Sequence, residues 1–311
     1  MNSKLNWEDI RLFVAVAELG SFSAAARHLG LGQPTLSRRI AELEGQLGEP
    51  LFVRKPQGCE LAPAGERLLP AAAQMAQWAR DAEVSLARPA ERVAGKVRVT
   101  APPGIALTLL TQFASQLKAR FPALTLEVLS TTATLDLSRG EADIALRTHQ
   151  VIEPGLMTLG KLRSKPGLYA SAGYAASLSV GATINDLDLI CWSDDQGHFQ
   201  VNRELNRMVP GFKPVFSSDD FNVQLAACVQ GLGAMVLFDG ILGHPMLKSL
   251  VLLPVPLDRE YLGEVFIQVH RRLYGLPRIM AVLAALDDFG RSIGEYQGAD
   301  ELLATDQAQR L

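Results

Sequence analysis

Gln33, Pro34, Thr35, Ser37, Arg38 and Arg39 crowd the first turns of a helical pattern, and Arg54 and Lys55 follow on a short hairpin. A glutamine carboxamide pairs a donor with an acceptor, and a guanidinium donates in a fork that fits guanine or phosphate. Leu36, Ile40, Leu43 and Leu47 recur at helical spacing and are expected to face a core. At about 100° per residue, Pro34, Ser37, Arg38 and Ala41 then fall on the solvent side. A face of small and basic residues is shaped to enter a major groove, where bulky or acidic side chains would block base edges or repel phosphate. A plain helical hairpin with a solvated polar face is the alternative.

Local signals position this face. Residues 6–18 read as an amphipathic helix with Asn6 as N-cap, Gly20 as stop, and Ile10, Phe13, Val14 and Ala17 on one side. Ser21 caps a second helix whose Ala24-Ala25-Ala26 run admits a close neighbour, and Gly30 ends it. Pro34 suits the first turn of the third helix. Leu51-Phe52-Val53-Arg54 then forms a strand, Lys55-Pro56-Gln57-Gly58-Cys59 a tip, and Glu60-Leu61 the return, making a basic wing for phosphates or a minor groove.

Pro63 opens a long helix to about residue 87. Gly65, Leu68, Ala72, Met75, Ala79, Ala82 and Leu86 alternate by threes and fours. This seam is too narrow for burial in a globular core, and Leu68, Ala72, Met75, Ala79, Ala82 and Leu86 are expected to join two copies. From Gly95 strands and helices alternate. Strands are expected at 96–100, 124–129, 143–147, 167–171, 187–192, 215–217, 234–238 and 263–269, and helices at 105–120, 135–140, 220–230 and 278–295. The tail from Tyr296 is polar and expected to be mostly disordered.

The chain has 311 residues, 48% hydrophobic and 20% charged, which fits about two globular domains. A net charge of -3 opposes nucleic-acid binding by the whole surface but allows a local patch at Arg27, Arg38, Arg39, Arg54 and Lys55, diluted by Glu42, Glu44 and Glu49. No apolar run is long enough to span a bilayer, and the N-terminus reads as a helix rather than a signal peptide, so the expected compartment is the cytoplasm. Cys59, Cys191 and Cys228 fit neither a disulfide framework nor a metal site. Hydrolase, metalloprotease, P-loop and dinucleotide motifs are missing, so no enzyme, cofactor or metal is expected.

In this order, a winged helix-turn-helix, a linker helix and a two-lobed α/β region, the chain resembles the LysR-type transcriptional regulators of bacteria over nearly its whole length. The resemblance rests on Leu12-Phe13, Ser21-Phe22, Ala24-Ala25-Ala26, Leu29, Gln33-Pro34, Ser37-Arg38, Ile40, Leu43-Glu44, Leu47-Gly48, Leu51-Phe52, Arg54 and Ala64-Gly65. Arg98-Val99, Phe121-Pro122, the GEADIAL tract at 140–146 and Gly231-Leu232-Gly233 extend it more loosely. It implies an α+β multidomain chain: a DNA-binding domain at 1–62, a dimerisation helix at 63–92, and a periplasmic-binding-protein-like effector domain at 93–296. Lobe I of that domain takes 93–163 and 266–296, lobe II takes 164–265, and a tail fills 297–311.

The resemblance also implies that Gln33, Pro34, Ser37 and Arg38 enter the major groove of double-stranded promoter DNA, that Arg54 reaches the flanking minor groove or backbone, and that homodimers join as homotetramers. RNA polymerase is a further candidate partner. Gly32 replaces a usual Ser or Thr. Ala62 replaces a usual Thr, a lost cap worth about 1 kcal/mol. Gln57-Gly58-Cys59 occupies the tip where another cation is common, and the three departures together imply a weaker grip on DNA.

A small-molecule effector of unknown identity is implied between the lobes. Ligands of open α/β sheets sit at carboxyl ends of strands and at helix starts. That places Thr100, Ala101, Pro102, Thr131, Thr132, Arg147, Thr148, Trp192, Ser193, Ser217 and Ser218 around it. Hydroxyls and amides there suit a carboxylate or other polar anion with Arg147 as counter-ion, whereas Asp194, Asp195, Asp219 and Asp220 would repel an anion or pair with an amine; helix capping is the alternative role for each Ser or Thr. A thiol-redox-responsive regulator of the same fold through Cys191 and Cys228, and a cytoplasmic small-molecule-binding protein, are the competing functions.

Overall fold

The computed structural model describes residues 5–55, 57–86, 93–193, 200–239, 245–257 and 263–302, and the chain divides into two units, 1–91 and 92–311. In the first unit, helix α1 (Trp7–Leu19) starts at Asn6, whose side chain accepts from the Glu8 N–H at 3.0 Å, and stops at left-handed Gly20. Helix α2 (Phe22–Leu29) starts at Ser21 and ends at Gly30, whose φ of 68° is strained for other residues. Helix α3 (Gln33–Leu47) follows with Gly32 at its N-cap making no side-chain cap bond. Strands β1 (Phe52–Lys55) and β2 (Gly58–Leu61) pair antiparallel as the wing, and helix α4 (Pro63–Leu86) leads out.

The core of this unit joins Phe13 and Val16 of α1 to Leu36, Ile40 and Leu43 of α3, with Phe52 of the wing. Leu47 differs from expectation: it is 39% exposed because it lies in the last turn, beyond the reach of α1. Glu44 also differs. Its carboxylate turns inward and accepts the N–H groups of Leu51 at 2.7 Å and Phe52 at 3.1 Å, so it anchors the wing instead of diluting the basic patch.

The second unit begins with β3 (Gly95–Ala101), a helical turn α5 (Pro103–Ile105), a π-helical turn (Ala106–Leu110) and α6 (Thr111–Arg120). Then come β4 (Leu124–Ser130), β5 (Ile144–Arg147), β6 (Leu156–Ser164), β7 (Pro166–Ser171), α7 (Ala172–Ser177), β8 (Ile190–Trp192) and α8 (Gln200–Met208). The chain continues through β9 (Phe216–Ser218), α9 (Phe221–Val229), β10 (Met235–Phe238), β11 (Leu250–Leu252), β12 (Gly263–His270), α10 (Pro277–Ile293) and β13 (Glu295–Gly298).

One lobe holds a six-stranded sheet in the order β13-β6-β12-β5-β3-β4, and the other holds β10-β7-β11 and the parallel pair β8-β9, linked by a bridge between Leu189 and Ala234. The chain crosses between lobes where β6 runs into β7 and again between β11 and β12. The expected helix at 135–140 is a turn, because the Asp136 carboxylate accepts the N–H groups of Ser138 at 2.7 Å and Arg139 at 3.2 Å and satisfies them without helix.

The tail is ordered further than its polarity suggested. β13 adds to β6, and a helical turn at 299–302 follows. Tyr296 seats it: a Cβ at Gly160 or Gly290 would fall 2.3 or 2.4 Å from the tyrosine, so only glycine leaves the notch open. Residues 303–311 lie outside the described ones.

Candidate nucleic-acid interface and interlobe cleft

Helix α3 buries Leu36 and Leu43 completely and leaves Gln33, Pro34, Thr35 and Arg38 exposed, with Ser37 half-buried on the same side. Arg38 is 74% exposed, and its nearest carboxylate, Glu42, stands 3.7 Å away at 61% exposure, a contact that water largely screens. Gln33 is held by its neighbour helix: the Ser23 hydroxyl donates to Oε1 at 3.1 Å, which turns the amide N–H groups outward. Arg39 is otherwise engaged. Its guanidinium pairs with Asp9 on α1, and the two side chains are only 28% and 14% exposed, so it braces the helices and is not a free cation on the exposed side of α3.

On the wing, the Arg54 guanidinium lies over the Phe22 ring, 5.1 Å from its centroid, and Phe22 meets Phe52 edge-on at 5.5 Å. A cation held over an aromatic face keeps its charge while losing side-chain freedom. Lys55 pairs with Glu60 across the hairpin at 2.9 Å. Ser23 was not singled out from sequence, and Phe22 entered only as part of the resemblance; the signal available for their contacts was their place at the start of α2, facing α3 and the wing.

In α4, Leu68 and Ala72 pack into the core of their own unit together with Ala76, and Ala72 has no exposed surface. Ala72 therefore cannot offer area to a second copy, because the core of its own unit already covers it. Met75 is 42% exposed, Ala79 half-buried and Ala82 exposed, and the side chain of Leu86 lies outside the described ones.

In the second unit, β4, β3 and β5 run parallel, so their carboxyl ends share one edge. Thr100, Ala101, Pro102, Thr131, Thr132, Arg147 and Thr148 consequently converge on one cleft of about 300 Å³, joined by His149 and Arg203. Several of the hydroxyls have structural duties: Thr100 donates to the Leu129 carbonyl at 3.2 Å, and the Thr131 hydroxyl accepts the Ala133 N–H at 3.1 Å. Arg147 is 6% exposed, and its guanidinium donates to the Leu135 carbonyl. Burial pulls its pKa below the usual value, opposed by the carboxylates of Glu153 and Asp136.

The second-lobe residues divide. Trp192 lines a separate, largely apolar cavity of about 160 Å³ between the lobes, with Pro102 and Thr148 bordering both spaces. Ser193, Ser217 and Ser218 line neither. The Ser193 N–H donates to the Ser218 carbonyl at 3.1 Å, the Ser218 hydroxyl accepts the Asp220 N–H at 3.1 Å, and Ser217 faces solvent. They extend the β8–β9 pair and shape the entry to α9. Asp220 is the N-cap of α9 and accepts from Asn222 at 2.6 Å, while Asp194 and Asp195 lie outside the described residues.

Cys191 and Cys228 are buried, and burial pushes their thiols up to about 12 and about 11. Such thiols carry almost no thiolate near neutrality, the form a redox switch needs. Cys59 is also buried and shifted up, chiefly by burial and against the nearby Arg54 charge.

Comparison with known proteins agrees with this architecture. Residues 7–66 match the bacterial regulatory helix-turn-helix protein of the lysR family, and residues 90–290, more than half the chain, match the LysR substrate binding domain. An HTH-type transcriptional regulator of Xanthomonas campestris pv. campestris (strain 8004) is 33% identical over 168 residues, 53% of this chain and about half (48%) of that one. The HTH-type transcriptional regulator CrgA of Neisseria meningitidis serogroup C (strain 8013) is 26% identical over 250 residues, 79% of this chain and 84% of its own. Among solved structures, full-length CbnR complexed with its target DNA shares the fold with a TM-score of 0.58 at 18% identity, covering 93% of this chain and 100% of that one. With both halves matched in the order the fold displays them, the chain belongs to the LysR family of DNA-binding transcriptional regulators with an effector-binding domain.

Proposed function

We propose that the protein reads promoter DNA with the amino end of α3 and grips the flanking backbone with Arg54, and that a small molecule held between the lobes sets its output. The observation that carries the DNA reading is the split of α3: Leu36, Ile40 and Leu43 are buried, while Gln33, Pro34, Thr35 and Arg38 are exposed on the opposite side. Arg38 pairs with guanine or clamps phosphate, and Gln33 presents N–H donors to acceptors on base edges. Two copies join along α4 through its exposed residues Met75 and Ala82, and further through their effector domains. Two-fold symmetry then calls for half-sites about one helical turn apart. The regulator acts on transcription by RNA polymerase in the cytoplasm and performs no catalysis.

The effector's anionic group sits in the polar cleft among Thr131, Thr132, Thr148 and Arg147, where threonine hydroxyls and the guanidinium groups of Arg147 and Arg203 converge without a lining carboxylate. Selection of binding sites from random DNA by the full chain and by Arg38→Ala tests the first part; identical selected sequences would refute it. A metabolite screen by thermal stabilisation of the full chain, repeated with Arg147→Ala, tests the second. Stabilising anions that ignore that substitution would remove Arg147 from the site.

A further inference from the structure

The apolar cavity behind the polar cleft has its own chemistry. Ile190, Trp192, Phe221, Met235 and Val265 wall it, and its volume is about 160 Å³. Apolar cavities of about 150 Å³ take up benzene, so the space matches a single six-membered ring. Glu264 borders it, but Lys161 at 2.6 Å and Arg163 at 3.2 Å hold that carboxylate and offset its charge.

Besides Glu264 and the exposed Thr148, two buried polar side chains interrupt the apolar wall: Gln224 at 2% exposure and Ser164 at 8%. Nε2 of Gln224 donates to the Ser218 carbonyl at 2.8 Å, which fixes the carboxamide with Oε1 free. No described residue hydrogen-bonds to that oxygen or to the Ser164 hydroxyl. Neither atom is fully enclosed, so each faces the cavity space, where an open acceptor takes a donor from whatever fills it, water included.

We propose that this inner cavity binds a compact, uncharged, phenol-class ring compound whose hydroxyl donates to Oε1 of Gln224 beside the Ser164 hydroxyl. The inference rests on the reading of the interlobe region as the small-molecule site, and it adds a neutral aromatic compartment to the anionic one. Pro102 and Thr148 border both spaces, so one ligand bearing both groups can occupy the two together.

The test is calorimetric titration of the full chain with p-cresol, toluene and benzoate. The expected result is saturable p-cresol binding with toluene weaker by roughly 3- to 10-fold, the worth of one hydrogen bond. Gln224→Leu should erase that difference. Ser164→Ala should narrow it, and serves if the first variant does not fold. Equal affinity for p-cresol and toluene, a difference that survives both substitutions, or binding of neither (a cavity that holds water only) overturns the proposal. Benzoate binding that depends on Arg147 with no p-cresol binding would overturn this inference alone. Failure of all three probes would count against the broader reading as well.

Discussion

Arg38 and Arg39 are neighbours in sequence with opposite surroundings, so truncating each should give opposite results. Arg38 has 74% of its side chain in solvent and its nearest carboxylate at 3.7 Å. Its loss should change stability by less than about 0.5 kcal/mol. In DNA binding it should remove about 1–3 kcal/mol, roughly 5- to 150-fold in affinity, and relax base preference at one position. Arg39→Ala instead strands Asp9, whose side chain is 14% exposed, without its partner. Breaking a fully buried pair costs about 3–5 kcal/mol; with Arg39 28% exposed a cost of about 1–3 kcal/mol is expected. The urea midpoint of the full chain should fall for Arg39→Ala and hold for Arg38→Ala, while the selected DNA sequences should change for Arg38→Ala and hold for Arg39→Ala. The reverse pattern in either assay would refute the assignment of α3's two sides.

Arg54→Ala should weaken binding to all sequences alike and lessen the slope of log K against log salt by about one; a loss confined to one sequence would contradict the wing contact. Gly65→Ala would place a Cβ 2.2 Å from the Leu51 carbonyl oxygen and 2.9 Å from Leu61, so helix and wing must part. Overpacking of this kind costs about 1–3 kcal/mol and should outweigh the gain of up to about 1 kcal/mol in helix propensity, a net fall visible by urea unfolding. The buried thiols predict an alkaline loss of stability. Folding holds Cys191 and Cys228 as neutral thiols with pKa values raised to about 12 and about 11, above an unfolded value of about 8.5. Their contribution is full below pH about 8.5 and disappears as pH climbs toward the folded values. The urea midpoint should drop between pH 8.5 and 11, and Cys191→Ala should flatten that drop; a midpoint independent of pH would count against the burial argument. At pH 7.5 iodoacetamide should label both thiols far faster in urea than in the native chain, and equal rates would reopen a thiol switch.

What could be read from sequence was local. Asn6, Ser21 and Gly30 mark helix ends by bonds within a few residues, and Leu36, Ile40 and Leu43 show their face by spacing alone. What escaped was set by partners far along the chain. Strand β6 reads LMTLGKLRS, without clean alternation, and forms because β12 and β13, about a hundred or more residues later, pair with it on both sides. Arg39 looks like a DNA contact until Asp9 arrives from another helix. Thr100, Thr131 and Arg147 were legible as cleft residues because parallel strands bring their carboxyl ends together whatever the side chains. Ser193, Ser217 and Ser218 were not, since the short β8–β9 pair turns their polar groups to backbone and solvent. Gln224 and Ser164 carried no pattern; only burial beside an apolar cavity distinguishes them.

The interlobe region has the elements of a switch, and its wiring follows from where the chain crosses. β6 passes into β7 through Lys165 alone, and the Asp239 carboxylate accepts the Lys165 N–H at 2.9 Å while the Asp239 N–H returns a bond of 2.9 Å to the Lys165 carbonyl. Ser164 ends β6 and Val265 lies near the start of β12, so both crossing segments supply walls of the inner cavity. A molecule there touches both lobes and both connections at once. A ligand shifts an equilibrium only by the difference in its affinity for the two states. Such a difference arises most directly where filling the space depends on how the lobes are disposed, and Trp192 and Phe221 on one side with Ile105 and Leu109 on the other meet that condition. The polar cleft is built mainly from one lobe, with Arg203 the contribution from the other. An anion in the polar cleft would therefore be held largely by one lobe, while an apolar group in the inner cavity would be held by both, and the second contact would have the greater leverage on lobe closure.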